Sequence, residues 1–322
     1  MIRYLHNSEI DKSRWDACID QSVYSIIYGY SWYLDIISPG WDALVDDDYG
    51  AVFPLTWKQK FGISYLTQPC YAQQLGIFSK ETLSCGQIIS FIKAIPEKYW
   101  HFDLYLNPQN GIPYPSNMGF RERKTYHVPL HLSYPEIAER YTTDTKKNLK
   151  AIAKRNLSLK PIDPQQVIEL YKQNVWHKTP GLKQCDFSVL PKLVKEVSSR
   201  KECIILGVYE NDVLSAGTIF FKSQDKIIYI FGASNAAGRK NGAMRFVFDQ
   251  IIRNYCNNKL VLDFEGSSVD SVEHFYKSLG SDKVTFLNIL HSKFDILGTV
   301  IKANLKISNQ IAKWQIIHQN AD

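Results

Sequence analysis

Two carboxylates stand where an enzyme could hold a general base. Asp263 and Glu265 lie two residues apart at the end of a short apolar run, residues 260–264, and a helical pattern follows them. In α/β folds, the chain that leaves a strand end commonly carries the chemistry. A carboxylate there can bind a cationic amine and then help to remove its proton. The alternative is that Asp263 caps the turn and Glu265 is solvated, and the pattern leaves both hypotheses open.

A second stretch, residues 231–243, has the composition of an anion-binding loop. It joins a predicted strand to a predicted helix, is rich in small residues, and contains Arg239, Lys240, Asn241 and Gly242. Backbone N–H groups at a helix start bind anions, so we predict that these four residues hold the phosphates of a donor. The alternative is an ordinary loop with a solvated Arg-Lys pair. The sequence has no P-loop motif of the form G-x-x-x-x-G-K-[ST].

A third stretch, residues 144–156, predicts a helix with one basic side. Four lysines share that side, opposite an apolar set: Lys146, Lys147, Lys150 and Lys154. Such a positive stripe suits phosphates, and we assign Lys147 and Lys150 to that role. A simple solvated face explains the same pattern.

Strands and helices must position these residues. Periodicity and turn residues predict an antiparallel meander, a helix, a strand, a second helix and a last strand. In chain order these are residues 203–209, 214–222, 226–231, 242–255, 260–264, 272–279 and 284–290.

The first half of the chain has the same order of elements. It predicts a hairpin of residues 51–57 with 63–67, then a helix at 87–95 and a strand at 101–106. We therefore predict two copies of one α/β unit. The first copy has Asn107-Pro108 where the second has its acidic pair, so the second is the expected active copy.

Composition and charge exclude several classes of protein. The 322 residues carry a net charge of +6, which fits a phosphate-bearing ligand and does not require DNA. No apolar run reaches the roughly 18 residues of a membrane span. Six scattered cysteines predict free thiols in the cytoplasm and no metal site. There is no G-x-S-x-G motif, and none of the eight histidines pairs by spacing with a Cys or Ser.

Several of these segments together resemble the FemABX-like branch of the GNAT superfamily. The run at residues 146–154 is similar to that branch's basic helix. The other matching segments follow in the order of the family's C-terminal half: residues 229–234, the Gly242-Ala243 helix start, residues 262–267 and residues 275–280. All of them lie between residues 140 and 290.

The resemblance implies a mixed α/β fold of two tandem GNAT-like domains with a C-terminal helix. The expected boundaries are 1–132, 133–295 with the active site, and 296–322, a helix packed on the protein or touching an anionic membrane surface. The implied reaction moves an acyl or aminoacyl group to the amine of a small molecule or peptide, for example a cell-wall precursor. The donor would be a cosubstrate, acyl-CoA or aminoacyl-tRNA, with no tightly bound cofactor. The protein would act as a monomer or dimer.

For this reaction we predict roles for residues of the expected active copy. The catalytic candidates are Glu265, Asp263 and Tyr276. The substrate contacts are Tyr229, Ser234, Asn235 and Ser267.

The sequence departs from the family in two places. The GNAT pyrophosphate signature, [QR]-x-x-G-x-[GA], has Met244 at its last position here. The helical-hairpin arm of some tRNA-using members has no counterpart, although tRNA stays a candidate partner. A second hypothesis therefore stands beside the acyltransferase: a non-catalytic ligand-binding module that kept the fold and lost the donor site.

Overall fold

The computed structural model describes residues 1–112, 119–175, 187–266 and 270–293. Its strands are β1 (Arg3–Leu5), β2 (Asp42–Val45), β3 (Ala51–Leu55), β4 (Trp57–Lys60), β5 (Ile63–Thr67), β6 (Phe78–Ser79), β7 (Tyr99–Tyr105), β8 (Gly119–Pro129), β9 (Leu157–Pro161), β10 (Cys203–Glu210), β11 (Val213–Ser223), β12 (Lys226–Ser234), β13 (Val261–Asp263) and β14 (Asp282–Ser292). Its α-helices are α1 (Lys12–Asp20), α2 (Ser31–Ile37), α3 (Cys85–Lys93), α4 (Tyr134–Glu139), α5 (Thr143–Ile152), α6 (Pro164–Asn174), α7 (Val189–Ser199), α8 (Ala236–Asn241), α9 (Ala243–Tyr255) and α10 (Asp270–Ser278). Short 3₁₀ helices cover Asn7–Glu9 and Ile27–Gly29.

The described chain forms two compact units. Unit 1 contains residues 1–124 and 285–293, and unit 2 contains residues 125–284. The mixed α/β class expected from the sequence is confirmed. The predicted boundaries and the predicted superposition of residues 51–130 on 203–290 stay predictions, and the terminal helix at 296–322 lies outside the described residues.

In unit 1, one antiparallel sheet has the order β1-β2-β3-β6. Separately, β4 and β5 form a hairpin, β5 runs parallel to β7, and β7 pairs antiparallel with the 288–292 segment of β14. The amphipathic helix α3 buries Ile88, Phe91 and Ile92 in the core of this unit.

The predicted hairpin of residues 51–57 with 63–67 is wrong in its first strand. Residues 51–55 are all buried and pair with β2 and β6, whereas residues 58–60 are exposed and pair with β5. The two patterns change at Thr56, whose hydroxyl donates to the carbonyl oxygen of Thr67 at 2.8 Å. A run buried on both faces belongs to a core strand, so the chain changes sheets there.

In unit 2, the predicted meander is confirmed as β10, β11 and β12, which pair antiparallel in that order. The sheet continues from β12 to β13, parallel, and from β13 to residues 127–129 of β8, antiparallel. Helix α9 covers one face and packs Phe248 edge-on against Tyr229 and Phe264. On α6, the ring of Tyr171 lies 4.7 Å from that of Phe231.

Both units use the same connection. An antiparallel-paired strand connects through a helix to a parallel neighbour: β5 leads through β6 and α3 to β7 in unit 1, and β12 leads through α8 and α9 to β13 in unit 2. Strand β8 follows β7 in the chain; it begins in unit 1 and ends in unit 2. Strand β14 is the last described strand; it begins in unit 2 and ends in unit 1.

The expectation of six free thiols is wrong, because one of the five cysteines in the described part of the chain is bonded. Cys70 is disulfide-bonded, whereas Cys18, Cys85, Cys203 and Cys256 are free. Among the described residues, no helix is both long and apolar enough to cross a membrane.

Replacing Gly242 with Ala is expected to destabilise the protein. Gly242 is the N-cap of α9 with φ +78°, and a Cβ there would lie 2.7 Å from Cδ1 of Ile152. The left-handed backbone and the crowding together should cost about 2–4 kcal/mol of unfolding free energy. Gly86→Ala in α3 is the control, because its nearest neighbour is 4.0 Å away, and should leave the melting temperature unchanged or raise it. Equal melting temperatures for the two variants would contradict the turn geometry.

Candidate active site

The sheet of unit 2 opens between β12 and β13. Their parallel pairing ends at Ile228 opposite Asp263, yet β12 continues to Ser234. Beyond Asp263 the chain stays with β8, because the N–H of Phe264 donates to the carbonyl oxygen of Tyr126 at 3.0 Å. The two strands therefore diverge, and the last residues of β12 border an opening in the sheet.

A carboxylate and two tyrosines gather at this divergence. Glu265 is only 7% exposed and has φ +53°, a left-handed conformation that a non-glycine residue adopts at a cost and that clusters at functional sites. Burial, then the Glu265 and Asp263 carboxylates, raise the pKa of Tyr276. Burial, then Tyr276, Tyr171 and Glu265, raise the pKa of Tyr229. Both hydroxyls are therefore held in the protonated form at neutral pH.

The ring positions of this cluster are set by packing. Tyr276 stacks on Phe264 at 4.6 Å with nearly parallel planes. Gly232 leaves room for the Tyr229 hydroxyl, since a Cβ at Gly232 would lie 2.6 Å from it.

Asp263 is held in place by three neighbours. It is 1% exposed, and its Oδ1 accepts from the hydroxyl of Thr125 at 2.5 Å and from the N–H of Glu265 at 2.8 Å. Its Oδ2 lies 3.2 Å from Nε2 of His127. Burial alone would raise the pKa of Asp263, but His127, Thr125 and the Glu265 N–H outweigh it and hold that pKa below its usual value. Asp263 therefore caps the turn that presents Glu265, as one of the two sequence hypotheses expected.

Because they lie two residues apart, Asp263 and Glu265 would face the same side of the sheet if the strand continued through both. The strand ends at Asp263, and the left-handed backbone of Glu265 breaks the alternation of side chains. The second half of that alternative, a solvated Glu265, is wrong because the residue is buried.

A cleft of about 540 Å³ lies at the C-terminal end of β12. It is enclosed by the end of β12, helix α8 and the starts of α5 and α9, with α10 on the remaining side. Its lining residues are Thr142, Asp144, Thr145, Lys147, Asn148, Ser234, Gly238, Arg239, Gly242, Met244, Arg245, Ser271, His274, Phe275 and Ser278.

The lining of this cleft favours an anion. Among the described residues it carries three permanent cations, Lys147, Arg239 and Arg245, against the single carboxylate of Asp144. The N-termini of α5 and α9 add the partial positive charge of their backbone N–H groups. Nη1 of Arg239 donates to the carbonyl oxygen of Ser234 at 2.9 Å, which fixes the guanidinium at the wall.

Four of the predicted ligand contacts lie elsewhere. Lys240 and Lys150 are exposed and do not line the cleft as far as the structure describes it. Asn241 is buried, donates to Glu210 at 3.0 Å and accepts from the N–H of Ala243 at 3.0 Å. Asn235 caps α8 by accepting from the N–H of Gly238 at 2.8 Å. Ser267 lies outside the described residues.

Comparison with solved structures gives the fold. A crystal structure of FemX superposes with a TM-score of 0.59 at 12% identity, over 88% of this chain and 96% of that one. L-PGS from Bacillus licheniformis gives 0.52 at 9% identity, over 94% and 98%. An acetyltransferase from the GNAT family of Colwellia psychrerythraea gives 0.51 at 11% identity, over 91% and 100%. The chain has a FemABX/GNAT-like fold. No family model and no curated protein matches the sequence.

Within this FemABX/GNAT-like fold, sequence reasoning missed several residues. Arg245 lines the cleft from the first turn of α9, one residue after the segment compared with the signature. Its position just inside a helix start was the signal that could have found it. His274 also lines the cleft, and the hydroxyls of Thr145 and Ser278 join α5 to α10 there at 3.0 Å. His274 and Ser278 lie one turn apart on α10, whereas Thr145 comes from α5, so no sequence spacing links Thr145 to the other two.

Proposed function

We propose that this protein is an acyltransferase that moves an acyl or aminoacyl group from a phosphate-bearing donor to an amine. The cationic cleft at the end of β12 is the observation that carries the proposal. Its volume lies within the range of small-molecule sites, and its charges suit the phosphates of acyl-CoA or of the aminoacylated end of a tRNA. The acyl carbonyl would then lie in the opening between β12 and β13.

The buried residues Glu265, Tyr276 and Tyr229, beside the divergence of β12 and β13, supply groups for the chemistry. Glu265 takes a proton from the ammonium form of the acceptor, and the free amine attacks the carbonyl carbon. When the tetrahedral intermediate collapses, the bond to the leaving sulfur or oxygen breaks and Tyr276 donates its proton to that atom. Glu265 releases the first proton to solvent, accepts the remaining extra proton of the amine nitrogen and passes it to the Tyr276 oxygen, so both side chains return to their starting forms. Asp263 acts as a positioning residue, because it holds the turn on which Glu265 sits.

A non-catalytic binding module is the alternative, and Met244 is the observation that favours it. Met244 is 6% exposed and lines the cleft where the GNAT signature has Gly or Ala. A long side chain there narrows access to the N–H groups of α9.

Donor turnover separates the two functions. The purified protein is incubated with acetyl-CoA or aminoacyl-tRNA and a set of amines that includes cell-wall precursor peptides, and amide formation is followed by mass spectrometry. Amide formation supports the acyltransferase. Saturable donor binding with no product from any acceptor would support the binding module instead.

Arg239→Gln is expected to weaken binding of the phosphate-bearing donor by roughly 10–100-fold, the loss of a charge-assisted hydrogen bond to phosphate. Lys240→Gln is the matched control, since Lys240 is adjacent in sequence, carries the same charge and is exposed away from the cleft lining. Isothermal titration calorimetry with CoA and with aminoacyl-tRNA measures both variants. Equal losses in the two would point to long-range charge alone and reject Arg239 as a phosphate contact.

A further inference from the structure

The β4–β5 hairpin of unit 1 presents an aromatic side chain to solvent at its tip. Phe61 is 89% exposed. Only Phe61 and Gly62 connect the strands, because Lys60 still pairs with Ile63. Both connecting residues have positive φ, +52° and +77°. A two-residue loop with two positive φ values is a type I′ turn.

Phenylalanine is a poor residue for that turn. The first position of a type I′ turn favours Asn, Asp or Gly, because a bulky side chain is strained at positive φ. At 89% exposure, the ring gains almost no burial in return. Folding of this hairpin therefore gives no reason for an aromatic residue at position 61.

The hairpin around Phe61 is cationic and amphipathic. Cross-strand pairing sets Lys58 opposite Tyr65 and Lys60 opposite Ile63, so these four side chains share one face. The opposite face carries Leu66, which is fully buried in the core of unit 1. The Lys60 ammonium lies 5.5 Å from the centre of the Phe61 ring. No Asp or Glu occurs from residue 49 to residue 80.

We propose that this hairpin docks on an anionic lipid surface, with Phe61 inserted among the acyl chains. Lys58 and Lys60 then face the headgroup phosphates, and Tyr65 lies at the interface, where amphipathic aromatic rings concentrate. Charge favours an anionic lipid surface, because two lysines precede the tip on β4 and no acidic residue lies near them in the sequence. Shape favours it as well, since a stable protein interface needs about 800 Å² on each partner, whereas the apolar tip is one side chain.

Phe61→Asn tests the insertion directly. The protein is sedimented with vesicles of phosphatidylcholine alone and of phosphatidylcholine mixed with phosphatidylglycerol. The wild type is expected to bind the mixed vesicles, and Phe61→Asn to lower that partition coefficient roughly 10–100-fold, the contribution of one buried Phe side chain. The melting temperature of Phe61→Asn should rise, because Asn-Gly suits the turn. Weaker vesicle binding together with a higher melting temperature cannot then be attributed to misfolding of the variant.

Two further variants sharpen the result. Val213→Thr removes another exposed apolar side chain, 66% exposed in unit 2, and should bind vesicles like the wild type. Lys58→Gln with Lys60→Gln should weaken binding to the anionic vesicles by roughly 25-fold, about fivefold for each lysine, with a smaller effect at high salt.

Three outcomes would overturn the proposal. The first is a wild type that binds neither vesicle, and the second is a Phe61→Asn variant that binds as well as the wild type. The third is a lower melting temperature for Phe61→Asn, which would mean that the ring packs on the protein itself.

Discussion

Glu265→Gln is expected to lower kcat/KM for acyl transfer by about 10²–10⁴-fold, the usual contribution of a positioned general base. The substitution keeps the shape of the side chain and removes the charge that would accept the amine proton. The melting temperature should stay near that of the wild type, because the cap from Asp263 to the N–H of residue 265 is a backbone contact and is retained. Steady-state kinetics with the acceptor identified by the turnover screen measures the effect.

Two companion variants make this result specific. Glu196→Gln changes the same residue type in an exposed ion pair with Arg200 on α7 and should keep full activity. Tyr276→Phe keeps the ring stacked on Phe264 and removes only the hydroxyl, so it should lower kcat with little effect on stability. Full turnover by both Glu265→Gln and Tyr276→Phe would show that the cluster is structural.

Asp263→Asn is expected to give a large loss of stability. The Asn removes the negative charge that Thr125, His127 and the N–H of Glu265 surround in a fully buried position. A hydrogen bond to a buried charged group contributes about 1.5–3 kcal/mol, so a loss of roughly 3 kcal/mol in unfolding free energy is expected. For a unit of this size that corresponds to a decrease of about 6–12 °C in melting temperature. Differential scanning calorimetry measures it.

The stability difference between Asp263→Asn and the wild type should depend on pH. The folded-state pKa of Asp263 lies below the unfolded value, so its stabilising effect is complete above the unfolded pKa of about 3.9. That effect is lost as the pH falls through the folded-state pKa. Urea unfolding at neutral pH and at pH values below about 4 should therefore show a shrinking difference between the two proteins. Asp212→Asn, in an exposed pair with Lys160, is the control and should show almost no difference at any pH. A constant difference for Asp263→Asn would contradict the buried ionised carboxylate.

Local patterns predicted much of unit 2. Apolar runs separated by short turns define β10, β11 and β12, and the apolar face of α9 follows from Met244, Val247 and Ile251 at helical spacing. The loop at residues 231–243 was located, but its short helix α8 was not, since six residues with Gly238 among them carry no helical periodicity. The strand switch at Thr56 was missed for a related reason. Residues 51–57 form one apolar-rich run, and only pairing partners distant in sequence show where it divides.

The sequence by itself determined the meander strands of unit 2, the amphipathic helices and the three stretches in which chemistry was expected, because these depend on contacts between residues close in the chain. It marked Arg239 and Lys240 as equivalent and left the roles of Asp263 and Glu265 open. Tertiary structure gives the two members of each pair different surroundings. Arg239 lines the cleft whereas Lys240 does not, because consecutive residues of helix α8 project in different directions. Thr125 and His127, more than 130 residues earlier, contact the two carboxylate oxygens of Asp263, whereas Glu265 lies buried near Tyr229 and Tyr276. Such assignments depend on burial and on neighbours from distant strands, and no local pattern encodes them.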